Sequence, residues 1–404
     1  SELFAAYAEE RGFPPYHPAL MTALLLYSYC RGVYSSRRID RACQERVDFM
    51  AATGHQTPDF RTIAKFRRRH LDALRALFVQ VVALCRKAGL VSLGHVSLDG
   101  TKIKANASKH KAMSYERMNE QEEKLEAEVK RWLDSAEAAD RAEDAEFGEE
   151  RRGDEMPGWA KDREKRREKI REAKAALEAE AREAAEKKAA ESKERSAATP
   201  GPKPAPPSAE PDPKAQRNFT DPESRILKTK DGFVQGYNAQ AAVDAQSQVI
   251  VAPDVVAQQN DGDQLVAAVE QVRENGGRYP VELSADAGYC SEDNLAALKT
   301  RGIRGYVATG RQTHGTASAT SGEERNQRPL AKEMRARLRR GGHRSRYRLR
   351  KQTVEPVFGQ IKQARGFRQF LMRGLEKVRG EWSLISTAHN LLKLFGARTA
   401  SASA

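Results

Sequence analysis

Cysteine is scarce and unpatterned in this chain. The four cysteines, Cys30, Cys43, Cys85 and Cys290, form no CxxC pair and no zinc-ligand spacing, which excludes a disulfide framework and argues against a zinc site. A reducing cytoplasm is the expected compartment. Long hydrophobic runs are also missing. The most apolar stretch, Ala19 to Cys30, is interrupted by Thr22 and Ser28 and falls short of the ~20 residues that span a bilayer. No initiator methionine and no charged-then-apolar leader opens the chain at Ser1, so an incomplete amino terminus is expected rather than a signal peptide.

What is abundant is charge, and its placement matters more than its sum. The net charge is +14 over 404 residues. The segment from Lys299 to Arg379 alone holds 22 Lys and Arg against 5 Asp and Glu, leaving the rest of the chain close to neutral. A basic block of this density predicts a polyanionic partner, of which nucleic acid is the commonest, or else a solvated basic segment.

The apolar pattern divides the chain. Residues 1–92 read as a helical amino-terminal domain, expected to bind DNA: Pro18 opens one helix, RRIDRACQERVDFMAATG carries a second, and Thr57 or Asp59 caps a third that Gly89 ends. Ile63, Phe66 and Leu74 are expected inward, with Arg61, Lys65, Arg67, Arg68 and Arg69 largely outward. Such a face suits a helix-turn-helix reader or a merely solvated surface. Residues 93–115 hold the first strand of a second domain. Residues 116–217 form a charged insertion, whose stretch to Ala198 carries 20 basic and 26 acidic residues; it predicts long exposed helices turned near Pro157, Gly158 and Trp159, and then the extended linker PGPKPAPPSAEPDP. A solvated accessory element and a dimerising coiled coil are both open readings of it. From 218 to 396 strands and helices alternate, with Ser291 as an N-cap and Gly276 and Gly277 closing a helix, before a tail at 397–404. The whole predicts a mixed α/β sheet with helices on both faces, preceded by an all-α domain.

Three acidic residues are locally out of place: Asp99 in VSLDGTKIKA, Asp286 in VELSADAGYC and Glu355 in YRLRKQTVEPVFGQIK. Aspartate opposes strand propensity, and such exceptions mark sites. Strand alternation puts Ser97, Asp99 and Thr101 on one face, and Glu282, Ser284 and Asp286 on one face of a later strand, opposite Val281, Leu283 and Ala285. Pro356 predicts that the Glu355 helix begins near Thr353, with the acid at the positive end of the helix dipole. Three gathered carboxylates call for a divalent cation, Mg²⁺, and two ions about 3.5 to 4 Å apart would suit in-line displacement at phosphorus. Lys and Arg around Glu355 are expected on the DNA backbone, and Tyr347 or Phe367 stacked on an extruded base.

With these motifs in place, the chain resembles the DDE transposases of bacterial insertion sequences, specifically the family numbered eleven-eighty-two. PPYHPALMTALLLYSYCRGVYSSRRIDRAC with PDFRTIAKFRRRH is similar to the helical domain before the catalytic core; DGTKIKANAS, SADAGY and YRLRKQTVEPVFGQIKQARGFRQFLMRGLEKV resemble the three acid motifs. The resemblance implies an RNase H-like core in which Asp99, Asp286 and Glu355 are the metal-binding catalytic triad, with Mg²⁺ (two ions, Mn²⁺ as a substitute). It also implies DNA contacts by Tyr347, Arg350 and Lys362, joined in the basic block by Lys351, Arg365 and Arg373. Four residues separate Arg350 from Glu355 and three separate Lys351, so either basic residue can take the arginine role. The implied activity is cleavage at transposon ends and strand transfer into target DNA, by a cytoplasmic, nucleoid-associated homodimer or larger synaptic assembly. A nuclease without strand transfer and a decayed DNA-binding relative are the alternatives.

Overall fold

The computed structural model describes residues 16–147, 158–198, 208–229, 232–258, 262–310 and 328–402. It divides into two compact units, Ser1–Asn106 with Leu227–Ala404, and Ala107–Ile226.

The first unit opens with five helices: α1 (Pro18–Cys30), α2 (Ser36–Glu45), α3 (Val47–Thr53), α4 (Phe60–Arg69) and α5 (Leu71–Lys87). Pro18 stands at the first turn of α1, where its missing N–H costs nothing, and α1 buries Met21, Leu24, Leu25 and Tyr29. The two longer helices expected after it are each broken once. Arg46 adopts extended backbone (φ −115°, ψ 122°) between α2 and α3, and its guanidinium holds Asp48 at 2.7 Å. His70 breaks the second between α4 and α5, its ring tilted against Phe66. Asp59 caps α4, its Oδ1 accepting the Arg61 and Thr62 N–H groups. One expectation is overturned here. Arg67 points inward, 7% exposed, donating to the Tyr29 hydroxyl (2.9 Å) and the Tyr34 carbonyl (3.0 Å). Its aliphatic stem continues the Ile63–Phe66 stripe, and polar partners wait at its end, so burial is tolerable.

The main sheet is built from β1 (His95–Lys104), β4 (Arg225–Thr229, entering this unit at Leu227), β5 (Gly232–Asp244), β6 (Ile250–Val256), β7 (Glu282–Ala285) and β8 (Arg304–Val307); β2 (Ala112–Ser114) and β3 (Gln216–Asn218) lie in the other unit. Its order is β4-β5-β1-β7-β8, with β6 also paired to β5. β5 runs antiparallel to β1 and β6, whereas β1, β7 and β8 are parallel. The central strands are covered on both sides: Val96 and Leu98, and also His95 and Ser97, are buried. Val281, expected to share a face of β7 with Leu283 and Ala285, precedes the strand and is 49% exposed. Helices α8 (Gln264–Gly276) and α9 (Glu292–Thr300) alternate with the later strands as expected, Gly277 ending α8 at φ 79° and Ser291 capping α9. After β8 come α10 (Pro329–Gly341), α11 (Leu349–Gly359), a π-helical turn Gln360–Ala364, and α12 (Leu375–Ala402). In α12, Trp382 Nε1 donates to the Gln240 carbonyl (2.8 Å), and Asn390 exchanges two bonds with the backbone of Ile250. Packing of α5 along α12 is close enough that a Cβ on Gly380 would overlap Leu71.

In the second unit, α6 (Tyr115–Phe147) and α7 (Gly158–Ala198) form a helical hairpin, with a short antiparallel pair β2 (Ala112–Ser114) and β3 (Gln216–Asn218) at its base. Met118, Leu125, Ile170, Ala173 and Leu177 make its small core. Ion pairs flank that seam: Glu122 meets Arg171 (2.8 Å) and Lys174 (3.2 Å), and Glu126 meets Arg167 (2.9 Å). The sparse apolar residues are thus used within the hairpin. Of the turn expected near Pro157, Gly158 and Trp159, Gly158 and Trp159 instead begin α7, while Pro157 and most of the Pro-rich linker lie outside the described residues. No helix among the described residues is long and apolar enough to cross a membrane.

Candidate active site: three carboxylates around one guanidinium

The parallel register of β1 and β7 pairs His95 with Glu282, Ser97 with Ser284 and Leu98 with Ala285. Asp99 and Asp286 come next on each chain, at the carboxyl end of the shared ladder, the usual place for a site in a parallel sheet. β7 stops there. Asp286 turns out of the sheet as the cap of a single 3₁₀ turn, its Oδ1 accepting the Gly288 N–H at 2.8 Å. That turn is held by Tyr289, whose hydroxyl donates to Gln240 Oε1 on β5. β1 continues past Asp99 against β5, and Asp99 Oδ1 accepts the Gly100 N–H at 3.0 Å.

The third acid arrives on α11, which begins at Leu349 and carries Pro356 in its interior. This corrects the expected start near Thr353. Proline in a helix leaves the carbonyl four residues earlier without its donor. Here that carbonyl, on Gln352, accepts the Gln248 side-chain amide at 2.8 Å. Gln248 itself sits at φ 59° in the turn after β5, positioned by Lys393 and His389 of α12. Glu355 is therefore in the middle of its helix, and the dipole at the helix start does not act on it. A nearby guanidinium does. Arg350 Nη1 lies 3.3 Å from Asp99 Oδ2 and its Nη2 3.7 Å from Glu355 Oε1. Burial of Arg350 works against its charge, but the fields of Asp99, then Asp286 and Glu355, more than offset this and raise its pKa. The Tyr347 hydroxyl is also raised, chiefly by burial; Arg350 opposes the rise, and Asp286, Asp99 and Glu355 add to it. Both groups thus feel all three acids, and at neutral pH both remain protonated.

The structure places the other expected residues less uniformly. Lys351 is exposed on α11; Arg350 is the one at the acids. Lys362, in the π-helical turn, donates to Thr101 Oγ1 (3.1 Å) and the Lys102 carbonyl (3.2 Å), on the strand that carries Asp99. Arg373 is exposed, its Nε bonded to the Asn106 carbonyl. Arg365, expected at a DNA surface, is turned inward against His389 (3.2 Å). Phe367, expected to stack on a base, is 1% exposed and packs edge-on to Tyr34 and Phe370. Tyr347 is 9% exposed. In each case an aromatic ring or long stem found apolar neighbours that a linear charge count does not show.

A second polar cluster was missed, although alternation had put Glu282 and Ser284 on one face. Glu282, 6% exposed, accepts from Arg346 (2.9 Å), Arg304 (3.3 Å) and His95 Nδ1 (3.2 Å). His95 Nε2 then faces Ser284 Oγ (3.0 Å), which meets Ser97 Oγ (2.9 Å). One proton order satisfies the row: His95 donates to Glu282, Ser284 to His95, and Ser97 to Ser284. Arg346 immediately precedes Tyr347, so this cluster ties the approach to α11 onto β7.

The donors at the main site suit a hard divalent cation, being carboxylates with no thiolate or imidazole among them. As they stand, no three acidic, histidine or cysteine side chains among the described residues converge closely enough to hold one. The cation between Asp99 and Glu355 is a guanidinium.

The structure thus defines a mixed α/β core with acids on a central strand, after its parallel neighbour and on a following helix. The comparisons name the family. Residues 208–391 match the model of the Transposase DDE domain, and residues 1–69 match that of the Transposase domain (DUF772). The chain belongs to the DDE transposases, its core is RNase H-like, and its role is that of a transposase. Asp286 and Glu355 fall within the first match, and Asp99 lies between the two. Members of this family generally use divalent metals. No curated protein and no solved structure matches the chain.

Proposed function

We propose that this chain cuts DNA at the ends of a mobile element and joins the freed ends to a target, with Asp99, Asp286 and Glu355 as the acids that hold Mg²⁺. The observation that supports the reading is Arg350 set between Asp99 and Glu355, 256 residues apart in sequence, with the charge of Asp286 acting on the same guanidinium. When bound, divalent ions activate an attacking oxygen and stabilise a leaving one at phosphorus. The chain's own residues do the rest. Lys362 and Arg350 supply positive charge beside the acids, and the protonated Tyr347 hydroxyl is a donor for a phosphate oxygen. Exposed Lys351, Arg348 and Arg373 extend that charge outward along the DNA backbone. Joining two ends calls for a dimer or a larger assembly.

The test is a plasmid carrying the element's terminal repeats, incubated with the protein, target DNA and Mg²⁺. Cleavage and joined products are expected, and Asp99→Asn or Glu355→Gln should lower both by at least about a thousandfold while end binding persists. Cleavage that survives Asp99→Asn would remove the assignment; cleavage without joining would leave a nuclease.

A further inference from the structure

We propose that Arg350 is a place-holding cation, exchanged for the divalent ion when the site loads, and that its released guanidinium then receives a backbone phosphate. The inference rests on reading Asp99, Asp286 and Glu355 as metal ligands, and concerns what the chain does before the metal arrives.

Three observations carry it. First, Arg350 occupies the space between two of the acids, one nitrogen toward Asp99 and the other toward Glu355. The same carboxylate oxygens cannot face a guanidinium and an inner-sphere ion together. Second, its grip is loose. Its two contacts, at 3.3 and 3.7 Å, are longer than the 2.9 Å of Arg346 on Glu282 or the 2.7 Å of Arg46 on Asp48. A guanidinium shared between two carboxylates forgoes the parallel two-bond geometry that makes arginine pairs strong. Third, the charges of Asp99, Asp286 and Glu355 all act on the place where this guanidinium sits, a field that favours a doubly charged ion there. Glu355, with 47% of its side chain exposed, leaves that site open to solvent.

The consequence is a linkage. Arg350 can pair with the acids or with a phosphate, but not with both. Metal loading therefore frees a phosphate-binding group, and a phosphate that captures Arg350 clears the metal site. Each ligand strengthens the other by the same factor. Without metal, the guanidinium offsets part of the acids' charge and ties helix α11 to β1.

The experiment is calorimetric titration of Mn²⁺ into the protein without DNA, for the wild type, Arg350→Gln, Lys351→Gln and Asp99→Asn. Lys351→Gln removes the same charge one residue away, at an exposed position outside the acid contacts. Arg350→Gln should bind Mn²⁺ about tenfold more tightly than the wild type. Lys351→Gln should change the affinity by less than about threefold, and Asp99→Asn should abolish the tight site. If Arg350→Gln tightens binding no more than Lys351→Gln does, the exchange is overturned while the acid site stands. If Asp99→Asn leaves Mn²⁺ binding unchanged, the reading of the acids fails instead. Should Arg350→Gln not fold, Arg350→Lys serves: it keeps the charge but cannot span both carboxylates, so tighter binding is again expected, and unchanged or weaker binding overturns the proposal.

Discussion

Replacing Glu282 by glutamine keeps the shape of a buried side chain and removes its charge. The carboxylate is 6% exposed and His95 is 5% exposed, but Arg346 and Arg304 keep 57% and 63% of their side chains in solvent. The two sides of the cluster therefore differ. Without the carboxylate, the arginines can turn to water at little cost. The amide must remain inside, where it meets mostly donors, because His95 Nδ1 and both guanidinium groups point at it. Lost charge-assisted bonds, partly offset by relief from burying a charge, give an expected destabilisation of about 2 kcal/mol. Arg346→Ala, which removes an exposed partner, should cost only about 0.5 to 1 kcal/mol. In a Glu282→Gln background it should cost almost nothing, since the acid it served is gone. Urea unfolding, followed by the fluorescence of fully buried Trp382 with Trp132 and Trp159 replaced by phenylalanine, reads these values from the sheet unit. The reasoning is refuted if Glu282→Gln is neutral, or if Arg346→Ala costs as much as Glu282→Gln in the wild type and again in the variant.

Two other outcomes follow from the packing. Burial holds His389 at a pKa of about 3, against an ordinary 6.5, and its Nδ1 faces Arg365. The folded state refuses a proton that the unfolded chain accepts, so stability is full above pH 6.5 and is lost as pH falls toward 3. At pH 5 the loss is about 2 kcal/mol, and His389→Gln should flatten that part of a stability-against-pH curve; an unchanged slope would contradict the assignment. Ile170→Asp places a charge in the small core of the α6–α7 hairpin, where Ile170 is 1% exposed. A cost above about 3 kcal/mol is expected, visible in circular dichroism as lost helix, whereas the exposed Glu168→Ala should leave the signal unchanged.

Much of this molecule was legible before folding. Apolar alternation located β1, β5, β6 and β7, because a strand with one polar face writes that face into every second residue. Ser291, Gly277 and Asp59 marked helix ends because orphan backbone groups need particular partners there. Pro356 was legible and misleading. Its local cost is real, but the side chain of Gln248, 104 residues before Gln352, supplies the donor missing at that carbonyl, and no local rule anticipates a distant compensation. Arg67, Arg365 and Phe367 failed for a related reason, since a long or aromatic side chain can be drawn inward by neighbours that only the fold assembles.

The sequence by itself determined the alternation of elements, the basic character of the segment before α12, and the identity of three acids that break local propensity. Those are properties of single segments, fixed by short-range sterics and solvation. The tertiary structure alone decided that β1 and β7 lie side by side and parallel, so that Asp99 and Asp286 end on one edge. It also decided that α11 extends far enough toward its start to bring Arg350, rather than Lys351, between Asp99 and Glu355. Distances between segments depend on which apolar faces bury each other, and that choice is made by the whole chain at once.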